Sequence, residues 1–473
     1  MCSNWSSSIF KKGFSIGFLI LSLTLPACDG FLEIGVPKSQ LVSATAFENE
    51  STARSALLAI YAEMISSEQG FASGGNNSIS VLAGLSADEL IDKVGNKADF
   101  QNNSLEATND VVRGSIWASA YKYIYYANGI LEGLAISTKL KDEVKKPMEG
   151  EAKFLRAFIY FYLTNLFGDI PLILETGYET NNVTGKVSSS EVYQQIMTDL
   201  NDAEQLLPVS FDQEQTYGRA RAGKYAAKAL LARVYLYQEN WAKAEELSTE
   251  VISSGYYDLV DNINDVFLAE NNPEAIWQLM SAYEGTSLTW EAAFFLAGGA
   301  FVTDEVVNLF NSDMTDMRQY LWMISLDQDF IYDSVISLKY RPFDSNKPET
   351  VQYSTVLRLA EQYLIRAEAR AHLGDNLIGA VDDLNKVHLR ASAFPIDVMS
   401  SQDELLQAIE LERRKELFTE WGHRWFDLKR TGRASVFLAP LKGASWQSTD
   451  ILYPIPASEI VQNPNLGPQN GGY

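Results

Sequence analysis

Apolar residues recur every three to four positions over long stretches of this chain, and that period predicts a mostly helical protein. EGEAKFLRAFIYFYLTNLF, residues 149 to 167, keeps helical spacing and closes at Gly168-Asp169 ahead of Pro171. Ser188-Ser189-Ser190-Glu191 offers N-caps to EVYQQIMTDLNDAEQLL, which stops before Pro208. A third helix, KYAAKALLARVYLYQ, lies within residues 222 to 238. A break at Glu239-Asn240 leads into WAKAEELSTEVISSG, which ends on Gly255.

That last pair resembles a tetratricopeptide repeat. Leu231, Ala232, Tyr235 and Ala244 fall at the repeat's small and aromatic contact positions. Further along, Asn376, Ala380 and Val387 echo Asn240, Ala244 and Val251. Small residues let two helices approach, and an aromatic fills the neighbouring groove. Two such units far apart predict helical hairpins separated by insertions. Residues 70 to 110 are rich in Gly, Asn and Ser and read as loops. Residues 258 to 350 hold candidate strands at 275 to 283 and 334 to 340. The tail LYPIPASEIVQNPNLGPQNGGY is expected to avoid regular helix and wrap the surface.

The N-terminus changes the picture. Lys11 and Lys12 precede a short apolar run, residues 13 to 25, too short to span a bilayer, which takes ~20 apolar residues. It reads as a signal peptide, residues 1 to 27. Leu25-Pro26-Ala27-Cys28 resembles a bacterial lipobox, with Pro26 a departure from the usual residue there. Cys28 would be the lipidated first residue, and acyl chains would anchor the chain to a membrane. The other cysteine, Cys2, lies in the removed segment, so no disulfide, cysteine ligand or cysteine nucleophile is expected.

Composition adds a large core and a strong charge. The chain has 473 residues, 46% hydrophobic and 12% aromatic. Its net charge of -23 becomes -25 when Lys11 and Lys12 are removed. Such a chain repels nucleic acid. His372, His388 and His423 form no HExxH or i,i+4 pair, so no zinc site is expected. Gly13-Phe14-Ser15-Ile16-Gly17 matches a GxSxG pattern but lies in the signal peptide. Asp327, Asp329 and Asp333 have calcium-like spacing without the required Gly; no metal or cofactor is assigned, with a structural calcium as the alternative.

Six ordered motifs carry a resemblance to the SusD/RagB family of Bacteroidetes surface lipoproteins. They are Cys28-Asp29-Gly30-Phe31-Leu32, EGEAKFLRAFIYFYLTNLFGDIPLI from Glu149, and GRARAGKYAAKALLARVYLYQENWAKA from Gly218. VLRLAEQYLIRAEARAHLG from Val356, IELERRKELFTEWGHRWFDLKRTG from Ile409 and LYPIPASEIVQNPNL from Leu452 complete the set. The resemblance implies a mainly α fold: tetratricopeptide-like helical hairpins in a right-handed superhelical scaffold, with loop-rich insertions and a few short strands. A boundary near residue 265 would divide 28–265 from 266–473. In the motif from Ile409, Leu417, Phe418, Trp421, Trp425 and Phe426 make one apolar stripe, and Arg413, Arg414, Glu416 and Glu420 pair at helical spacing. Glu416, Glu420 and His423 read as a buried, ion-paired helix in preference to an acid/base site. Arg156 and Asp169 tie helices together.

The family resemblance further implies a non-catalytic protein that binds oligosaccharide and caps a SusC-like, TonB-dependent outer-membrane transporter. Sugars present flat C–H faces that aromatic rings cover, and hydroxyl rims that Asn, Asp and Arg bond. On composition, the candidate ligand residues are Phe100, Tyr283, Trp290, Phe294, Phe295, Trp322 and Phe330, with Asn76, Asn77, Asn102 and Asp88 as polar partners. The alternatives are a peptide cargo on the same architecture, a secreted helical glycoside hydrolase, and a helical scaffold that binds only protein.

Overall fold

The computed structural model describes residues 44–66, 69–209, 218–267, 272–280, 288–311, 313–326, 334–340, 352–392, 394–397 and 401–473. Cys28, Tyr283, Phe330 and the Asp327/Asp329/Asp333 group lie outside them.

The chain opens with α1 (Glu50–Ile65), then α2 (Ile79–Ser86), β1 (Leu90–Ile91) and α3 (Ala98–Gln101). A π-helix, Val112–Ala118, runs straight into α4 (Ser119–Ile136), followed by α5 (Asp142–Phe167). β2 (Ile170–Pro171), α6 (Tyr178–Asn181) and β3 (Lys186–Val187) lead to α7 (Ser189–Leu206), α8 (Lys224–Tyr237) and α9 (Trp241–Ile252). β4 (Ala275–Met280) starts the second insertion, which holds α10 (Trp290–Leu296), β5 (Phe301–Val302), α11 (Asp304–Phe310), α12 (Arg318–Leu321), β6 (Met323–Ser325) and β7 (Val335–Ser337). β8 (Tyr353–Arg358) returns to the helical layer, which closes with α13 (Leu359–Leu373), α14 (Leu377–His388), α15 (Gln402–Leu417), α16 (His423–Arg430), α17 (Ala434–Lys442) and α18 (Ala457–Gln462).

The helices pack in sequence: α4 on α5, α5 on α7, α7 on α8, α8 on α9, then α9 on α13 and α13 on α14. Local chemistry sets their ends. Ser188 and Glu191 form a capping box at the start of α7, as the Ser run predicted. The echo between the two hairpins has a direct cause. Asn240 caps α9 by accepting from Lys243 N (3.3 Å), and Asn376 caps α14 by accepting from Gly379 N (3.0 Å). Four residues on, Ala244 and Ala380 are fully buried, followed by buried Val251 and Val387.

α5 is the central helix, because from Phe154 onward nearly every side chain is buried. Trp277 of β4 wedges edge-on against Phe154 and Phe158, at 4.8 and 4.9 Å. The principal core spans both sides of residue 265, from Phe47 to Leu466. A second core around Phe267, Phe310, Trp322 and Phe418 joins the second insertion to the segments before β4 and after α15. Arg156 and Asp169 both hold α7, through different partners. Arg156 grips Asp199 at 2.7 and 2.8 Å and reaches Asn128 on α4, while Asp169 accepts from Ser189 N (2.9 Å).

Three expectations need correction. Residues 70 to 110 are not simply loops: α2, ISVLAGLS, is buried throughout, its two serines included, so no wet face marks an amphipathic period. The tail does form a short helix, α18, which fits between Pro456 and Pro464, and Tyr453 and Ile455 enter the core. The aromatic stripe after Ile409 is not one helix. The chain breaks between α15 and α16 with Thr419, Trp421 and Gly422 at φ of +59°, +47° and +69°. The stripe residues are still buried, but the arginines pair across the fold: Arg413 with Asp427 (2.9 Å) and Arg414 with Asp88 (2.8 Å).

Candidate ligand-binding face

The two insertions, which hold all the candidate ligand residues, are joined by hydrogen bonds. β1 pairs antiparallel with β5, Leu90 opposite Val302 and Ile91 opposite Phe301. Thr303 extends the join, donating N to Glu89 O (3.0 Å) and Oγ1 to Asp88 O (2.7 Å). A second approach is made by Gly74, at φ +76°. A Cβ there would meet the Glu291 side chain at 2.9 Å, so the loop before α2 lies directly on α10. The antiparallel β4–β8 pair, Ala275 opposite Arg358 and Met280 opposite Tyr353, holds both ends of the second insertion against the scaffold.

Beneath the joined insertions is a sealed ion network. Arg358 reaches Glu274 (3.0 Å), Glu416 (2.6 Å) and Glu420 (2.8 Å). Arg318 reaches Asp316 (2.8 Å), Glu412 (2.7 Å) and Glu416 (2.8 Å), and Arg390 also pairs with Glu274 and Glu416. Lys339 donates to Glu416 O (2.8 Å) and Glu420. Burial alone would raise the Glu416 carboxyl, but Arg390, Arg358 and Arg318 hold it well below the usual range. Burial pushes His423 well below its ordinary value, with Arg233 and Arg413 adding to the effect. Glu416 and Glu420 are therefore ion-paired structural groups, and His423 is buried apart from their ion pairs.

The candidate ligand residues divide. Asn76 accepts from the Lys97 ammonium, which sits 5.8 Å from the Phe294 ring, so these three meet. Trp290 is half-buried at the start of α10 and donates its indole N–H to Ile65 O (3.0 Å). Asn77 is also half-buried but turns to Ser115 (3.2 Å), and Asn102 is exposed after α3. The others are corrections. Phe100, 1% exposed, stacks edge-on against Tyr453 at 5.8 Å. Trp322, also 1% exposed, donates to Ile263 O (3.0 Å) inside the second core. Phe294 and Phe295 are 8% and 2% exposed and meet edge-on at 5.4 Å. A ring so covered has no free face for a sugar. Asp88 is an anchor: it accepts from Arg424 at 2.9 and 3.0 Å and from Arg414 at 2.8 Å.

In the same segment as the buried Trp322, Tyr320 is the ring that reaches solvent, at 50% exposed. The signal was available. One turn of amphipathic helix cannot aim both rings the same way, and Trp322 lies in the more apolar run. The Lys93 ammonium lies 4.7 Å from the Phe301 ring.

Two buried carboxyls are held near neutral. Glu89, 1% exposed, is pushed up to about 8 by burial and by Asp88. Glu291, 4% exposed, is pushed well up by burial and then by Glu420. Both resemble general acids in protonation, but neither can touch a substrate. Their effect is on stability. A raised pKa gives a contribution that is full below the unfolded value, near 4.3, and is lost as pH rises toward 8. Glu89→Gln should therefore match wild type at pH 5 and exceed it at pH 8, by on the order of 3 kcal/mol. Urea midpoints of both proteins at the two pH values check this; a constant difference would contradict it.

Comparison with known proteins follows this architecture closely. A family model described as "Starch-binding associating with outer membrane" matches residues 42–236, and the SusD family model matches residues 330–473. This chain belongs to the SusD/RagB family. A SusD-like protein of Formosa agariphila is 27% identical over 98% of this chain and all of its own length. The starch-binding protein SusD of Bacteroides thetaiotaomicron is 27% identical over 68% of this chain and 72% of its own. A laminarin-binding SusD-like structure is 26% identical with a TM-score of 0.73, covering 90% of this chain and all of that one. A SusD superfamily structure from Bacteroides vulgatus, 21% identical, superposes with a TM-score of 0.79 over the same shares and supports the fold. Among the described residues, no helix is long and apolar enough to cross a membrane, and no group of three or more His, Cys, Asp or Glu is placed to hold a metal.

Proposed function

We propose that this SusD/RagB member is a surface lipoprotein, anchored through Cys28, that captures oligosaccharide without cleaving it and delivers it to a SusC-like, TonB-dependent outer-membrane barrel. The observation that carries this reading is the β1–β5 pairing, which makes one face from the two insertions. In the two insertions Trp290, Asn76, Asn77, Asn102 and Tyr320 remain wholly or partly accessible. Relatives named for starch and laminarin binding support a glycan cargo. The sealed positions of Glu89 and Glu291 support binding without hydrolysis.

The test is calorimetry on residues 29–473 with starch, laminarin and xylan oligosaccharides and, in parallel, a peptide mixture. Heat is expected from one glycan, which chromatography should recover uncut. Trp290→Ala should weaken that binding about threefold to tenfold, the loss of one stacking ring. Heat from peptides alone would overturn the cargo class, and cleaved product would overturn the non-catalytic reading. Pull-down of the Cys28-anchored protein without any barrel would overturn the partner.

A further inference from the structure

A cleft of about 260 Å³ lies away from the ion network, between α4, the β2–β3 segment and α18. Its floor comes from one helical stripe. Trp117, Tyr121 and Tyr125 are spaced four residues apart, so they share a face. Trp117 stands at the end of the π-helix and is 3% exposed; its ring lies 5.0 Å from Tyr121, tilted by 47°. Single π turns are frequent at functional sites. Tyr125 is 41% exposed, and Tyr178, across the cleft on α6, is 75% exposed.

The rim is polar and held in place. Tyr121 donates its hydroxyl to Pro171 O (2.9 Å). Asn182 donates to the Tyr178 hydroxyl (3.0 Å), and Asn463 donates to Thr184 O (2.8 Å), tying the end of α18 to the opposite wall. The Gln462 amide, the Glu459 carboxylate and the Tyr125 hydroxyl carry no hydrogen bond to another described residue. Rings supply flat apolar faces, amides supply both donors and acceptors, and the volume suits one ring-sized unit rather than a long segment. No Lys, Arg or His lines the cleft, and its one charged side chain is Glu459. Glu459, inside a chain of net charge -23, disfavours an anionic ligand there.

We infer that the cleft between α4, α6 and α18 is a second carbohydrate site, which stacks one neutral pyranose unit on Tyr125 and Tyr178 and bonds its hydroxyls through Gln462 and Asn182. It adjoins the first insertion, since Ala457 at the start of α18 donates its N–H to Ala107 O (2.8 Å). Two sites on one chain can engage one polysaccharide, so the second raises retention without changing the first.

Native gels test the inference on residues 29–473 of the full body. Each gel contains laminarin, starch or, as an acidic control, polygalacturonate. Wild type is run beside Trp290→Ala and Tyr125→Ala/Tyr178→Ala, with melting temperatures recorded. The double variant is expected to keep its melting temperature and to bind the retarding neutral glycan at least threefold more weakly, with no retardation by polygalacturonate. Gln462→Ala, a change at an exposed position, should weaken binding in the same direction and carries the test if the double variant misfolds. Wild-type retardation of the double variant, with loss in Trp290→Ala, overturns the cleft and leaves the loop face standing. No retardation of wild type by any neutral glycan overturns both sites.

Discussion

Glu416→Gln is expected to destabilise this protein by about 3–5 kcal/mol, the cost of breaking a buried ion pair. The carboxylate is fully buried and is shared by Arg318, Arg358 and Arg390. Glutamine keeps the shape and removes the charge, leaving three guanidinium groups short of a counter-ion where water cannot replace it. The effect should also depend on pH. Glu416 is held well below its ordinary range in the folded state. Its contribution is therefore present above the unfolded value, near 4.3, and is lost as pH falls toward the folded one. Urea unfolding should show the full gap between wild type and variant at pH 7 and a narrower gap at pH 3. A loss below about 1 kcal/mol at pH 7 would mean that the network is not the joint between insertion and scaffold.

Asp88→Ala should cost a similar amount, about 3–5 kcal/mol, and should also impair ligand capture. Asp88 precedes β1 and binds Arg414 and Arg424, which belong to α15 and α16. Burial raises its carboxyl, but the hydrogen bond from Arg424 and the two arginine charges outweigh burial and hold it below the ordinary range. Without it, two arginines are left short of a partner and the β1–β5 join loses its tether to the scaffold. Asp88→Asn should fall between wild type and alanine, because it keeps acceptor capacity at one oxygen. Denaturant melts and calorimetry with the glycan measure both effects. Full affinity in a destabilised Asp88→Ala would show that the face does not rely on this anchor.

The helical scaffold was legible because its helices carry one wet face and one dry face. α7 and α9 show that pattern with their caps, and the Asn–Ala–Val echo marked both hairpins. The insertions were less legible for three physical reasons. α2 is buried on all sides, and a helix without a polar face has no period to read. Gly and Asn, taken as loop formers, here permit close packing: Gly74 makes room for Glu291. Aromatic composition also cannot separate rings that bind from rings that fill a core. Phe100, Phe295 and Trp322 have the composition of ligand rings and are core, while Tyr320, in the same segment as Trp322, is exposed. Partners distant in sequence were out of reach as well. Arg156 finds Asp199 on α7, 43 residues away, and Arg414 finds Asp88, 326 residues away. The stripe of Trp117, Tyr121 and Tyr125 was readable by spacing alone, but only the fold reveals the concave surface above it.

The measurement that tests the central claim most directly is amide hydrogen exchange with and without the glycan that binds best. The two insertions acting as one capture face predict slowed exchange together at residues 71–78, 92–102 and 288–296. The α8–α9 and α13–α14 hairpins should be unchanged. Slowing confined to those hairpins, or to one insertion alone, would contradict the account.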